Sequence, residues 1–162
     1  MNTLDPTRPE MSTDHRFRAR LSRLVGVSAV ALGLILWAAA STTNVGGWFL
    51  GCLAAGWVMM PILLWIGRDR PAARWGLMVP ATLVVVGLAG VLSGLAVGSA
   101  AFWGWALVTA GILVGAGLGG WFWYRFVPVP DGLADPFAAS RWWLIALHAG
   151  LVVVGLVVAV LA

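Results

Sequence analysis

Residues 24–67, LVGVSAVALGLILWAAASTTNVGGWFLGCLAAGWVMMPILLWIG, run from Arg23 to Arg68 without an Asp, Glu, Lys or Arg. A helix rises about 1.5 Å per residue and a bilayer's hydrocarbon core is about 30 Å thick, so roughly 20 residues cross it once. These 44 residues are therefore two crossings. The polar run Ser41-Thr42-Thr43-Asn44, followed by Gly46-Gly47, marks the reversal and places spans near 24–40 and 47–66.

The same reasoning extends outward. Residues 75–124 form a second uncharged stretch, too long for one helix and suited to a tight pair. Its weakest point is Gly98-Ser99, which gives spans near 76–97 and 102–124. Residues 142–162 supply one more. The expected fold is an all-α polytopic membrane protein, a single bundle of five transmembrane helices over 24–162 behind an N-terminal segment, 1–23. Composition agrees: a chain of 162 residues that is 61% hydrophobic and 10% charged lacks the polar surface to cover a water-soluble core.

All ten Lys or Arg residues are arginine, at 8, 16, 18, 20, 23, 68, 70, 74, 125 and 141. Short cytoplasmic loops carry the excess of basic residues. With the N-terminus cytoplasmic and the C-terminus periplasmic or extracellular, segments 1–23, 67–75 and 125–141 are inside and hold every arginine. A wrong span count would scatter them to both faces, and a dual-topology transporter would need a balanced distribution. The net charge of +4 pairs with anionic lipid headgroups, the expected contacts of the collar Arg16, Arg18, Arg20 and Arg23, at about 1 kcal/mol per residue. No nucleic-acid fold signature accompanies that charge.

Residues 1–15 mix Pro, Asp, Thr and Glu with little to bury and read as a mobile cytoplasmic tail. The alternative is a signal peptide cleaved after Ala38-Ala39-Ala40, although 23 residues is a long n-region. The longest loop, 125–141, carries Pro128, Pro130 and Pro136, a turn at Asp131-Gly132 and a helix start at Asp135-Pro136. It is either a lid, with Asp131 and Asp135 pairing with Arg68, Arg70 or Arg74, or a docking surface for another protein.

Of the 11 tryptophans, Trp37, Trp48, Trp103 and Trp105 fall at the outer boundary, and Trp65, Trp75, Trp121, Trp123, Trp142 and Trp143 at the inner one. Indole favours that interface because its ring is apolar and its N–H needs a partner. Trp57 lies mid-span, where its N–H must find a carbonyl or side chain. It is either a packing wedge or part of a ligand groove with Met59, Met60 and Pro61, and Pro61 should kink the span and free a carbonyl.

Small residues four apart let membrane helices approach closely. Three faces have that spacing: Gly47, Gly51 and Ala55; Gly90, Gly94 and Gly98; and Gly111, Gly115 and Gly119. The last two belong to spans joined by a tight turn, so those spans are expected to zip together. That leaves the first face for span one or for a partner protein.

Reaction chemistry is sparse. Ionisable groups inside spans usually mark catalysis or ion pathways, because inserting them is costly. Here the only one is His148, in the last span. A lone histidine is more often a hydrogen-bonded packing residue than a ligand. Haem would need a second histidine from another copy, or an axial Met59, Met60 or Met78. The single cysteine, Cys52, excludes an intrachain disulfide, and no metal-ligand set, serine-nucleophile or nucleotide motif is present. Expected, therefore, is a multi-pass protein of a bacterial inner membrane, non-catalytic and without cofactor, contributing helices to a larger membrane complex or to a homo-oligomer. A small permease for an apolar or uncharged molecule, with its groove at Trp57, and a haem-binding redox component using His148 are the alternatives.

Overall fold

The computed structural model describes the backbone of residues 8–66, 75–126 and 138–162, and side chains over most of 22–63, 75–117 and 143–162. Among these residues the chain is all-helical: α1 (Arg8–Thr42), α2 (Gly47–Ile66), α3 (Met78–Ser93), α4 (Ala100–Phe126) and α5 (Ala138–Leu161). Four helices are long and apolar enough to cross a membrane, over Val25–Thr42, Trp75–Ser93, Ala100–Gly117 and Trp143–Leu161. In α2 the described apolar stretch is the shorter Gly47–Leu63.

The breaks fall where side-chain and backbone chemistry favours them. In the last turn of α1, Ser41, Thr42 and Thr43 donate their hydroxyls to the carbonyls of Ala38, Ala38 and Ala39. These hydroxyls use the second lone pairs of carbonyls in the last turns and so turn the polar run back onto its own helix. The α3–α4 turn uses Gly98 at φ 86°, a backbone conformation that favours glycine. Ser99 then caps α4, its Oγ accepting the Phe102 N–H at 3.1 Å.

Three expectations meet the structure differently. The segment 1–15, read as a tail, is helical from Arg8; residues 1–7 lie outside the described residues. Loop 127–137, with Asp131 and Asp135, and the arginines at 68, 70 and 74 also lie outside them. Second, α3 ends at Ser93, because Gly94 is its C-cap and Gly98 lies in the turn. Only Gly90 of that expected face is on the helix.

Third, α3 and α4 do not zip together. Each helix packs mainly on its neighbours in sequence, with α1 closing on α5, and the two extensive seams are α2–α3 and α4–α5. At the first seam a Cβ on Gly56 would lie 2.6 Å from the Pro80 carbonyl oxygen, and one on Gly87 2.7 Å from the Leu53 Cβ. The Phe49 ring occupies the space over Gly90. At the second, a Cβ on Gly104 would lie 2.7 Å from the Gly155 carbonyl oxygen, and one on Gly111 2.9 Å from the Val152 Cγ2. Backbones meet closely here, the geometry that dispersion rewards in lipid. The centre is filled by Ile35, Leu53, Leu88, Trp105 and Ala159, one from each helix.

Gly111→Leu should cost about 1–3 kcal/mol through overpacking. Gly94→Leu, whose Cβ would meet only carbonyls of its own helix at 3.6 and 3.8 Å, should cost clearly less. Thermal unfolding in detergent measures both.

Candidate functional site

Three polar side chains, His148, Trp57 and Trp105, tie helices together. His148 lies on α5 where α4 presents Gly111 and Gly115, and its ring fills the space that a Cβ on Gly115 would take. Its Nδ1 lies 2.6 Å from the Gly111 carbonyl oxygen. A carbonyl only accepts, so Nδ1 carries a proton and donates it to this bond. Position 115 must be small for this contact to form.

Two indoles do the same for α1. Trp57 on α2 donates to the Ser28 carbonyl oxygen at 3.0 Å. Trp105 on α4 donates to Thr42 Oγ1 at 3.0 Å, and that hydroxyl in turn donates to the Ala38 carbonyl at 2.7 Å. Both ends of the α1 span are therefore held by an indole from a different helix. Trp105 is 0% exposed, which corrects its assignment to the interfacial belt. Residues two apart on a helix face nearly opposite ways, so Trp103 points outward at 59% exposure while Trp105 points in to meet Thr42. Trp37, Trp48, Trp75 and Trp143 are exposed, as a belt requires; the side chains of Trp65, Trp121, Trp123 and Trp142 are outside the described residues.

The residues of the expected groove lie together on α2, around Trp57. Its N–H is engaged, and Trp57, Met59, Met60 and Pro61 are all half-buried along α2. Pro61 lacks an N–H for the Trp57 carbonyl, yet α2 continues to Ile66. The indole turns to α1 instead. A shallow depression of about 310 Å³ lies at the start of α3, lined by Met78, Val79, Thr82 and Leu83.

His148 is on α5, Met59 and Met60 are on α2 and Met78 is on α3. Among the described residues no group of three His, Cys, Asp or Glu side chains could hold a metal. Cys52 is buried in α2. Arg23 is exposed; Arg16, Arg18 and Arg20 are on α1 with side chains outside the described residues, as is the Gly119 contact surface. Comparison with known protein families, with curated proteins and with solved structures gave no match.

Sequence reasoning reached His148 and Trp57 but missed the Trp105–Thr42 tie and the seam glycines Gly56, Gly87, Gly104 and Gly155. A signal for the latter existed in the seven-residue spacing of Gly104 and Gly111, which places small residues two turns apart on one face.

His148→Gln keeps a donor within reach of the Gly111 carbonyl and should lower Tm only slightly. His148→Leu removes the donor and should cost roughly 0.5–1.5 kcal/mol. Gly115→Val, which drives methyl groups into the imidazole, should be the most damaging of the three.

Proposed function

We propose that this chain is a non-catalytic integral membrane protein of five spans, N-terminus cytoplasmic, that contributes helices to a larger membrane assembly in a bacterial inner membrane. The observation that carries this reading is a contrast among its glycines. Those at the α2–α3 and α4–α5 seams are filled by a neighbouring helix, whereas Gly47 and Gly51 have nothing within 4 Å where a side chain would begin. Together with Ala55, Val58 and Ile62 they form an exposed stripe along α2. A small-residue face of this kind lets a second helix approach closely in lipid.

The use of the polar groups supports the non-catalytic part. His148 Nδ1, Trp57 and Trp105 each spend a donor on holding two helices together, and the hydroxyls of Ser28, Thr82, Ser93 and Thr109 bond to carbonyls of their own helices. Orientation rests on the arginines, whose collar at Arg16, Arg18, Arg20 and Arg23 would meet anionic headgroups.

Gly51→Leu separates partner binding from folding. The open space at its Cβ means the substitution should leave the stability of the isolated protein within about 0.5 kcal/mol of wild type. Co-purification of a membrane partner, or oligomerisation on native gels, should be lost. Unchanged assembly in Gly51→Leu would remove the basis for this face. In a Cys52→Ala background, an impermeant thiol reagent added to intact cells should label Asn44→Cys but reach Ala72→Cys only after permeabilisation; the opposite pattern refutes the orientation.

A further inference from the structure

The hexapeptide LVVVGL occurs twice, at 83–88 in α3 and at 151–156 in α5. Its two copies make the same contacts. In α3, a Cβ on Gly87 would meet the Phe49 carbonyl oxygen at 2.8 Å and the Leu53 amide nitrogen at 2.9 Å. In α5, one on Gly155 would meet the Gly104 carbonyl oxygen at 2.6 Å and the Val108 amide nitrogen at 2.7 Å. The reciprocal contacts agree: Gly56 faces Val84 Cγ2 at 2.9 Å and Leu83 Cβ at 3.0 Å, and Gly111 faces Val152 Cγ2 at 2.9 Å and Leu151 Cβ at 3.0 Å.

A single shift relates each pair of helices. Adding 55 carries Phe49, Leu53 and Gly56 onto Gly104, Val108 and Gly111, and adding 68 carries Leu83, Val84 and Gly87 onto Leu151, Val152 and Gly155. The same shifts superimpose residues that played no part in finding them. Trp48 maps onto Trp103 and Trp75 onto Trp143, all four exposed near the start of their helices.

We propose that the membrane domain is a tandem duplication of one helical hairpin, α2–α3 and α4–α5, with the copies parallel in the bilayer, and that the seam left between α5 and α2 is a binding surface for α1. The two copies meet directly where α3 packs on α4; on the other side α1 lies between α5 and α2. The indoles that hold α1 are departures from the repeat: Trp57 corresponds to Ile112, and Trp105 to Leu50. Each copy carries one indole bond to α1 at a position where the other copy has an aliphatic residue. His148 is a departure as well, standing where the first copy has Pro80, with Gly115 in place of Met60. The duplication is independent of the arginine count, and because α2 is the counterpart of α4 it makes α2 a full crossing.

Two experiments on the full chain in a Cys52→Ala background test this. In the first, residues 78–92 are replaced by the register-matched 146–160 together with Met60→Gly, or by the slipped segment 144–158 with the same change. An oxidant should trap a disulfide between Leu53→Cys and a cysteine at position 87 in the matched chain, as in the parent carrying Gly87→Cys, and not in the slipped one. Loss in both, or trapping in both, overturns the duplication. In the second, Trp57→Phe with Trp105→Phe should raise labelling of Ala38→Cys by a membrane-permeant maleimide at least several-fold, while the Val108→Cys/Gly155→Cys disulfide still forms. Unchanged labelling, or loss of that disulfide with it, overturns the α1 docking surface.

Discussion

Close backbone approach at glycine is the constraint on which this bundle rests. Lipid is as apolar as leucine, so burying one leucine against another gains little between membrane helices; what remains is dispersion, strongest where surfaces interdigitate, and a few hydrogen bonds. Gly56 and Gly87 bring α2 onto α3, and Gly104, Gly111 and Gly155 bring α4 onto α5. At Gly104 and Gly155 the main chains themselves are in contact range, because neither helix carries a side chain there. Once both hairpins are closed in this way, their inner faces can supply Leu53, Leu88 and Val108 to a common centre.

Hydrogen bonds then decide where the first helix goes. α1 has seams with α2 and α5 that are far less extensive than those inside the hairpins. Its place is marked by two indoles, Trp57 reaching Ser28 and Trp105 reaching Thr42. Away from water an indole N–H needs an acceptor, and a carbonyl that already accepts within its helix has a second lone pair to offer. Thr42 relays the demand, accepting from Trp105 while donating to Ala38. His148 follows the same rule at the α4–α5 seam. The residues with the richest chemistry inside the spans are thus employed in joining helices.

From the sequence alone, the element list was legible: uncharged run lengths, the polar break before Gly47 and the Gly98-Ser99 turn located five helices, because helix rise and bilayer thickness leave few alternatives. His148 as a packing residue and Trp57 as a donor in need of an acceptor were also readable, since both follow from the cost of an unpaired polar group in lipid. Which helix pairs with which was not. Gly90, Gly94 and Gly98 share a spacing, but spacing does not tell whether a glycine lies in a helix, caps it or turns the chain, and only the end of α3 at Ser93 separates them. Nor could boundary position tell Trp103 from Trp105, two residues apart at the same depth; the rotation of α4 against α1 sent one to the lipid side and the other to Thr42. Membrane insertion depends on composition summed along the chain, which a sequence displays directly. Partner choice depends on the relative rotation of packed helices, which only the tertiary structure decides.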